Sequence, residues 1–142
     1  MPLRILLVDD HATNRKLGIK VFERLGYKVE MAVDGQSAIS TFAKSRHDFI
    51  LMDIEMPDMD GLEATRLIRA SSSSDARQPF IVALTANAMA GDRERYLEAG
   101  MDDYLSKPLR VDELVLSLKR AIQAGGKSLG GAHTPLSVRA EQ

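Results

Sequence analysis

Three aspartates, a threonine and a lysine hold the chemistry of this chain, although they are far apart in sequence. Asp9 and Asp10 adjoin in "ILLVDDHATNR", Asp53 closes "DFILMD", Thr85 closes "FIVALT", and Lys107 precedes Pro108 in "DYLSKP". Each follows a short apolar run. Adjacent acids repel by about 1 kcal/mol at ~4 Å in water, and by more where the dielectric falls. One of the pair can cap the helix that follows. The second calls for full exposure or for a cation.

If the apolar runs are strands of one parallel sheet, ligands bind outside their carboxyl ends, where the topology reverses. All five side chains then lie on one rim. Three carboxylates packed there need a hard cation, and oxygen-only ligands favour Mg²⁺ or Ca²⁺ over zinc or copper. Mg²⁺ suits a small open cup, because it takes one or two carboxylates and leaves room for phosphate oxygens. The lysine can pair with phosphate as a point charge. A carboxylate can attack phosphorus to form an acyl phosphate. The chemistry expected is metal-assisted phosphoryl capture.

The elements that must position these residues alternate along the chain. Leu3–Val8 is apolar but for Arg4, and short enough for a buried parallel strand. From Thr13 the period lengthens. Leu17, Val21, Phe22 and Leu25 share a helical face that Gly26 ends. Tyr27–Ala32 reads as a strand, and Gly35–Lys44 as a helix with Ala38, Ile39 and Phe42 inward. Asp48–Asp53 is a third strand, with Pro57 and Gly61 punctuating the loop after it. Leu62–Arg69 is a helix packed through Leu62, Thr65 or Arg66, and Leu67–Ile68. Ala70–Pro79 is a polar loop, Phe80–Thr85 a fourth strand, and Ala88–Ala99 a helix closed by Gly100. A fifth strand lies near Asp103–Leu105, and Pro108 stops it. Val111, Leu114, Val115, Leu118 and Ile122 then form the cleanest helical stripe. Five strand–helix units, (βα)₅, imply an α/β fold with helices on both faces of a parallel five-stranded sheet. From Gly125 onward the sequence is glycine-rich and aperiodic, which reads as a flexible tail or linker over 125–142 after one domain over 1–124.

Composition narrows the function further. With 142 residues, 44% hydrophobic and 27% charged, the chain suits one soluble domain with a single core. The net charge of −1 argues against a nucleic-acid binder. The absence of cysteine excludes disulfides and thiolate chemistry. No apolar run is long enough to span a bilayer, and the N-terminus turns acidic too early for a signal peptide. A cytoplasmic protein is expected. Met52, Met56 and Met59 read as packing, His47 and His133 lack metal-ligand spacing, and His11 sits beside the acids as exposed surface. Arg15, Lys16, Lys20 and Arg24 form a solvent face of the first helix, and Ser71–Ser74 a solvated loop.

Taken together and in order, "LLVDDHATNR", "ILMDIEMPDMDGLEATRLIR", "VALTANAM" and "GMDDYLSKP" resemble the receiver domain of two-component response regulators, over Leu3 to Gln123. The resemblance implies a flavodoxin-like, doubly wound sheet in the order 2-1-3-4-5. It implies Asp53 as phosphoacceptor and Mg²⁺ held by Asp10 directly, by Asp9 mainly through water, by Asp53 and by the backbone carbonyl of Glu55. Thr85 and Lys107 would contact the phosphoryl group, Thr85 and Tyr104 would act as the switch, and the Lys107–Pro108 peptide would be cis. The partners implied are a histidine kinase or histidine phosphotransfer protein and a downstream protein target, with no membrane or nucleic acid contacted directly. Receivers of hybrid histidine kinases and single-domain response regulators are the nearest in flavour. Such a domain is a phosphoacceptor signalling module, not an enzyme, though it assists its own phosphorylation and dephosphorylation.

Two rivals are weighed against this. An aspartyl phosphatase of the haloacid-dehalogenase type carries a D-x-D pattern after its first strand, whereas here the acids adjoin and no cap insertion is present. A receiver-like interaction module working without phosphorylation is the alternative. It would be expected to lose an acid or the lysine, and this chain keeps them all.

Overall fold

The computed structural model describes residues 3–71, 78–86 and 92–127 of the chain. Strands β1 (Ile5–Val8), β2 (Val29–Ala32), β3 (Phe49–Asp53), β4 (Phe80–Thr85) and β5 (Asp103–Ser106) alternate with helices α1 (Ala12–Arg24), α2 (Gly35–Ser45), α3 (Gly61–Ser71), α4 (Asp92–Ala99) and α5 (Val111–Lys127). The strands form one parallel sheet in the order β2-β1-β3-β4-β5, as expected from the sequence.

Period-two alternation divides the strand residues between two apolar layers. Leu6, Val8, Ile50, Met52, Ile81 and Ala83 face one layer, with Phe42 of α2, Leu62 and Ile68 of α3, and Tyr96 of α4. Ile5, Leu7, Leu51, Val82, Leu84 and Leu105 face the other, with Phe22 of α1 and Leu114 and Leu118 of α5. Strands β1, β3 and β4 are buried throughout, which is why they read as continuous apolar runs. Among the described residues no helix is long and apolar enough to cross a membrane.

Local chemistry sets the boundaries. Gly26 takes the positive φ of +92° that ends α1. Asp34 caps α2, its side chain accepting from the Ser37 amide while the Ser37 hydroxyl accepts from the Asp34 amide. The Lys107–Pro108 peptide is cis, as the resemblance implies. His47 is buried and pairs through Nε2 with the Glu30 carboxylate. The hydrogen bond to His47 holds the Glu30 carboxyl below its ordinary range. Met52 and Met56 are core residues, and Met59 packs against them.

Some expectations are corrected. Leu17 is exposed, because a Cβ at Gly18 would lie 2.7 Å from Leu7, and α1 presses its Gly18–Phe22 edge onto the sheet instead. In α3 the buried positions are Gly61, Leu62, Ala64, Thr65 and Ile68, so Leu62 and Ile68 pack as expected and Thr65 rather than Arg66 does, while Leu67 faces solvent. The α5 stripe is rotated. Leu114, Ser117, Leu118 and Ala121 face in, whereas Val111 and Ile122 are exposed. Ser117 is drawn inward because its hydroxyl donates to Asp103 at 2.8 Å; Asp103 also pairs with Arg120 at 3.0 Å. β1 begins at Ile5 and β2 at Val29, later than the apolar runs, and α5 continues past Gly125 to Lys127. The serine-rich stretch 72–77, the start of the expected fourth helix at Ala88, His133 and the chain after 127 lie outside the described residues.

Candidate functional site

Each rim residue is placed by the end of a strand. Asp9 and Asp10 follow β1, and the Asp9 amide donates to Ala32 of β2 at 3.2 Å, so the chain leaves the sheet with the first acid turned inward. Asp9 is buried and Asp10 partly so. Asp53 ends β3 and has no exposed surface. Its backbone is held closely by α3. A Cβ on Gly61 would stand 2.3 Å from the Asp53 carbonyl oxygen, so only glycine admits this approach. Thr85 ends β4 opposite Ser106 of β5, and the Lys107 amide donates to the Thr85 carbonyl at 2.8 Å. That register brings the Lys107 side chain across the rim.

The residues foreseen on the rim therefore come together. Lys107 Nζ donates to Asp53 Oδ1 at 3.0 Å, and the Glu55 amide donates to the same oxygen at 3.2 Å. Asp53 Oδ2, Asp9 Oδ2 and Asp10 Oδ1 are buried without a hydrogen-bond partner. Ligand atoms of Asp9, Asp10, His11 and Asp53 all lie within 4.8 Å of one another. Burial pushes the Asp53 carboxyl up to about 6. The Lys107 hydrogen bond opposes the rise, and the charge of Asp9 adds to it. Orphaned carboxylate oxygens at this separation fit a hard divalent cation, whose charge removes the repulsion and whose coordination satisfies the lone pairs. The Glu55 side chain points to solvent, leaving its backbone as the part near Asp53.

Tyr104 stands apart from this cluster. It is half-buried on the edge strand β5, with its ring centroid 6.0 Å from that of Tyr96. Sequence reasoning missed Tyr96. It is buried, and its phenol, pushed up by burial, shares a hydrogen bond with the Thr85 side chain. The signal was a tyrosine on the inward face of an otherwise polar helix, eight positions before Tyr104. Asp103 was also missed. One of its oxygens accepts from the Tyr104 amide at 2.9 Å, and the other holds Ser117 and Arg120 of α5.

Comparison with known proteins places the sequence and the fold. The family model of the response regulator receiver domain matches residues 5–119. The chain is 41% identical over 118 residues to the aerobic respiration control sensor protein ArcB of Escherichia coli K12, covering 83% of this chain and 15% of that protein. It is 39% identical over 114 residues to hybrid signal transduction histidine kinase I of Dictyostelium discoideum, covering 77% of this chain and 7% of that protein. The chain thus spans a small part of those relatives. Among solved structures, the receiver domain of sensor histidine kinase PA1611 from Pseudomonas aeruginosa, described with magnesium coordinated in its active-site cleft, aligns with a TM-score of 0.77 and 43% identity. That alignment covers 87% of this chain and 99% of the other. Chemotaxis protein CheY4 of Vibrio cholerae aligns with a TM-score of 0.78 and 29% identity, over 85% and 99%. By sequence, topology and the placement of its rim residues, this chain belongs to the response regulator receiver domain family.

Proposed function

We propose that this signalling domain takes a phosphoryl group onto Asp53 from a phosphohistidine of a histidine kinase or histidine phosphotransfer protein. The phosphorylated form then changes its binding to a downstream protein or passes the group on. One observation carries the reading. Asp53 is fully buried at the rim with Oδ1 held by Lys107 and Glu55, while Oδ2 is left unpartnered beside Asp9 and Asp10. The retention of all three acids and the lysine favours it over a module that works without phosphorylation.

Asp10, Asp9, Asp53 and the Glu55 carbonyl would hold Mg²⁺, which supplies charge against the carboxylates and the incoming phosphoryl oxygens. The Asp53 carboxylate is the attacking group. Its lone pair forms the O–P bond as the P–N bond of the donor breaks, and that electron pair stays on the imidazole nitrogen. Lys107, already 3.0 Å from Asp53, stays near the new phosphoryl group as a fixed positive charge. The Thr85 hydroxyl can turn from Tyr96 to a phosphoryl oxygen. Tyr96, packed on Tyr104, then links that turn to the edge of the sheet.

The test is labelling with acetyl phosphate and Mg²⁺, or with a phosphorylated kinase, read by intact mass. One hydroxylamine-labile phosphoryl group is expected on the wild type and none on the D53N variant. Equal labelling of D53N refutes the assignment.

A further inference from the structure

We propose that the His11 imidazole is a nitrogen ligand of the acidic cup, and that it tilts the cup's choice among divalent cations towards transition-metal ions. This rests on the metal site proposed above. His11 is the N-cap residue of α1, yet its side chain makes no capping hydrogen bond. Its backbone N–H instead donates to Asp9 Oδ1 at 2.9 Å, which fixes the residue over the acids. The ring is exposed on its outer side, and its Nδ1 stands 3.2 Å from Asp10 Oδ1 and 3.8 Å from Asp9 Oδ1.

The shorter approach is not a hydrogen bond, since Asp10 Oδ1 has no such partner. It has the length expected of two ligand atoms on one ion. Donors bonded at about 2.0–2.2 Å and set near a right angle lie about 3 Å apart. All four side chains of the group offer an atom within 4.8 Å of the others. Asp9 and Asp53, 1% and 0% exposed, each carry a buried oxygen with no partner in the protein. Three oxygens and one nitrogen therefore converge, not three oxygens alone.

The nitrogen changes which ions the cup prefers. Mg²⁺ is hard, is bound through oxygen and gains little from an imidazole. Affinity for N/O sites rises from Mn²⁺ through Co²⁺ and Ni²⁺ to Cu²⁺, and imidazole is a ligand suited to the later members. His11 should thus tilt the ratio of Co²⁺ to Mg²⁺ affinity while the oxygens serve both ions.

The experiment uses the full chain, stripped of metal and titrated calorimetrically with CoCl₂ and with MgCl₂ at one pH, beside the H11A and H11Q variants. Both variants are expected to lower the Co²⁺-to-Mg²⁺ affinity ratio about tenfold or more, on the scale of losing one fixed group at a metal site. The hyperfine-shifted imidazole N–H proton resonance of the Co²⁺ form should vanish in both. Mg²⁺ binding with the same affinity ratio in all three proteins, or an unchanged hyperfine spectrum in the variants, overturns the role of His11 alone. A wild type that binds neither ion overturns the metal site beneath it.

Discussion

Replacing Asp53 by asparagine should stabilise the metal-free protein, and by an amount that depends on pH. The Asp53 carboxyl rises from 3.8 to about 6 on folding, chiefly through burial. At about 1.4 kcal/mol for each pH unit, its charged form destabilises the fold by about 3 kcal/mol. The sign follows from the two protonation equilibria. Above pH 6 both folded and unfolded chains are ionised, and the full penalty is present. Between about 6 and 3.8 the folded state takes the proton first and the penalty fades. Below 3.8 both states are neutral and nothing is left. An asparagine removes the charge but also ends the pairing with Lys107, so about 1–3 kcal/mol of the gain should survive at pH 8. For a domain of this length that raises the melting midpoint by about 3–10 °C. Thermal melts followed by circular dichroism in EDTA, at pH 8 and again near pH 4.5, read the effect directly. D53N should melt higher at pH 8, and the difference should close in acid. Saturating Mg²⁺ should narrow it from the other side by stabilising the wild type. Equal midpoints at pH 8, or a gap that acid leaves unchanged, would refute the reasoning.

Other perturbations test the supporting structure. Gly61→Ala places a Cβ 2.3 Å from the Asp53 carbonyl, and should cost about 1–3 kcal/mol in urea melts while slowing acetyl phosphate labelling. Asp103→Ala strands Arg120 and the Ser117 hydroxyl, and a loss of about 3 kcal/mol is expected by urea denaturation. Tyr96→Phe keeps the buried ring but removes the hydroxyl that bonds the Thr85 side chain. With Mg²⁺ alone, the Tyr104 amide shift should move part of the way towards its beryllofluoride-bound position; no movement would exclude Tyr96 from the switch. Thr85→Ala should leave Asp53 able to take phosphate but abolish the response at Tyr104.

The sequence displayed what depends on strand periodicity and on strand ends. β1, β3 and β4 are buried on both faces, so their apolar runs needed no context, and the acids that follow were legible as a rim. Helical faces were less legible, because steric fit overrides hydrophobicity there. Leu17 looked like core, but the close approach of Gly18 to Leu7 turns it outward. Ser117 looked like surface, but a buried carboxylate on the neighbouring strand claims it. Tyr96 was hidden for a related reason. Its value lies in a hydrogen bond to Thr85 and a ring contact to Tyr104, both made only when α4 packs against β4 and β5. A single sequence reports the residue and not the partner.

The Asp103 clamp has a consequence for how such a module can change over generations. It anchors α5 from the inside, through Ser117 and Arg120, and the same carboxylate steadies the backbone at Tyr104. The outward positions Val111, Leu116 and Ile122 take no part in that anchorage and are 43%, 50% and 50% exposed. Substitutions at exposed sites of this kind usually shift stability by less than about 0.5 kcal/mol. Mutation can therefore explore new outer faces for α5 without loosening the helix or disturbing the rim where Asp53 sits. Partner choice can drift one residue at a time while the chemistry is held constant.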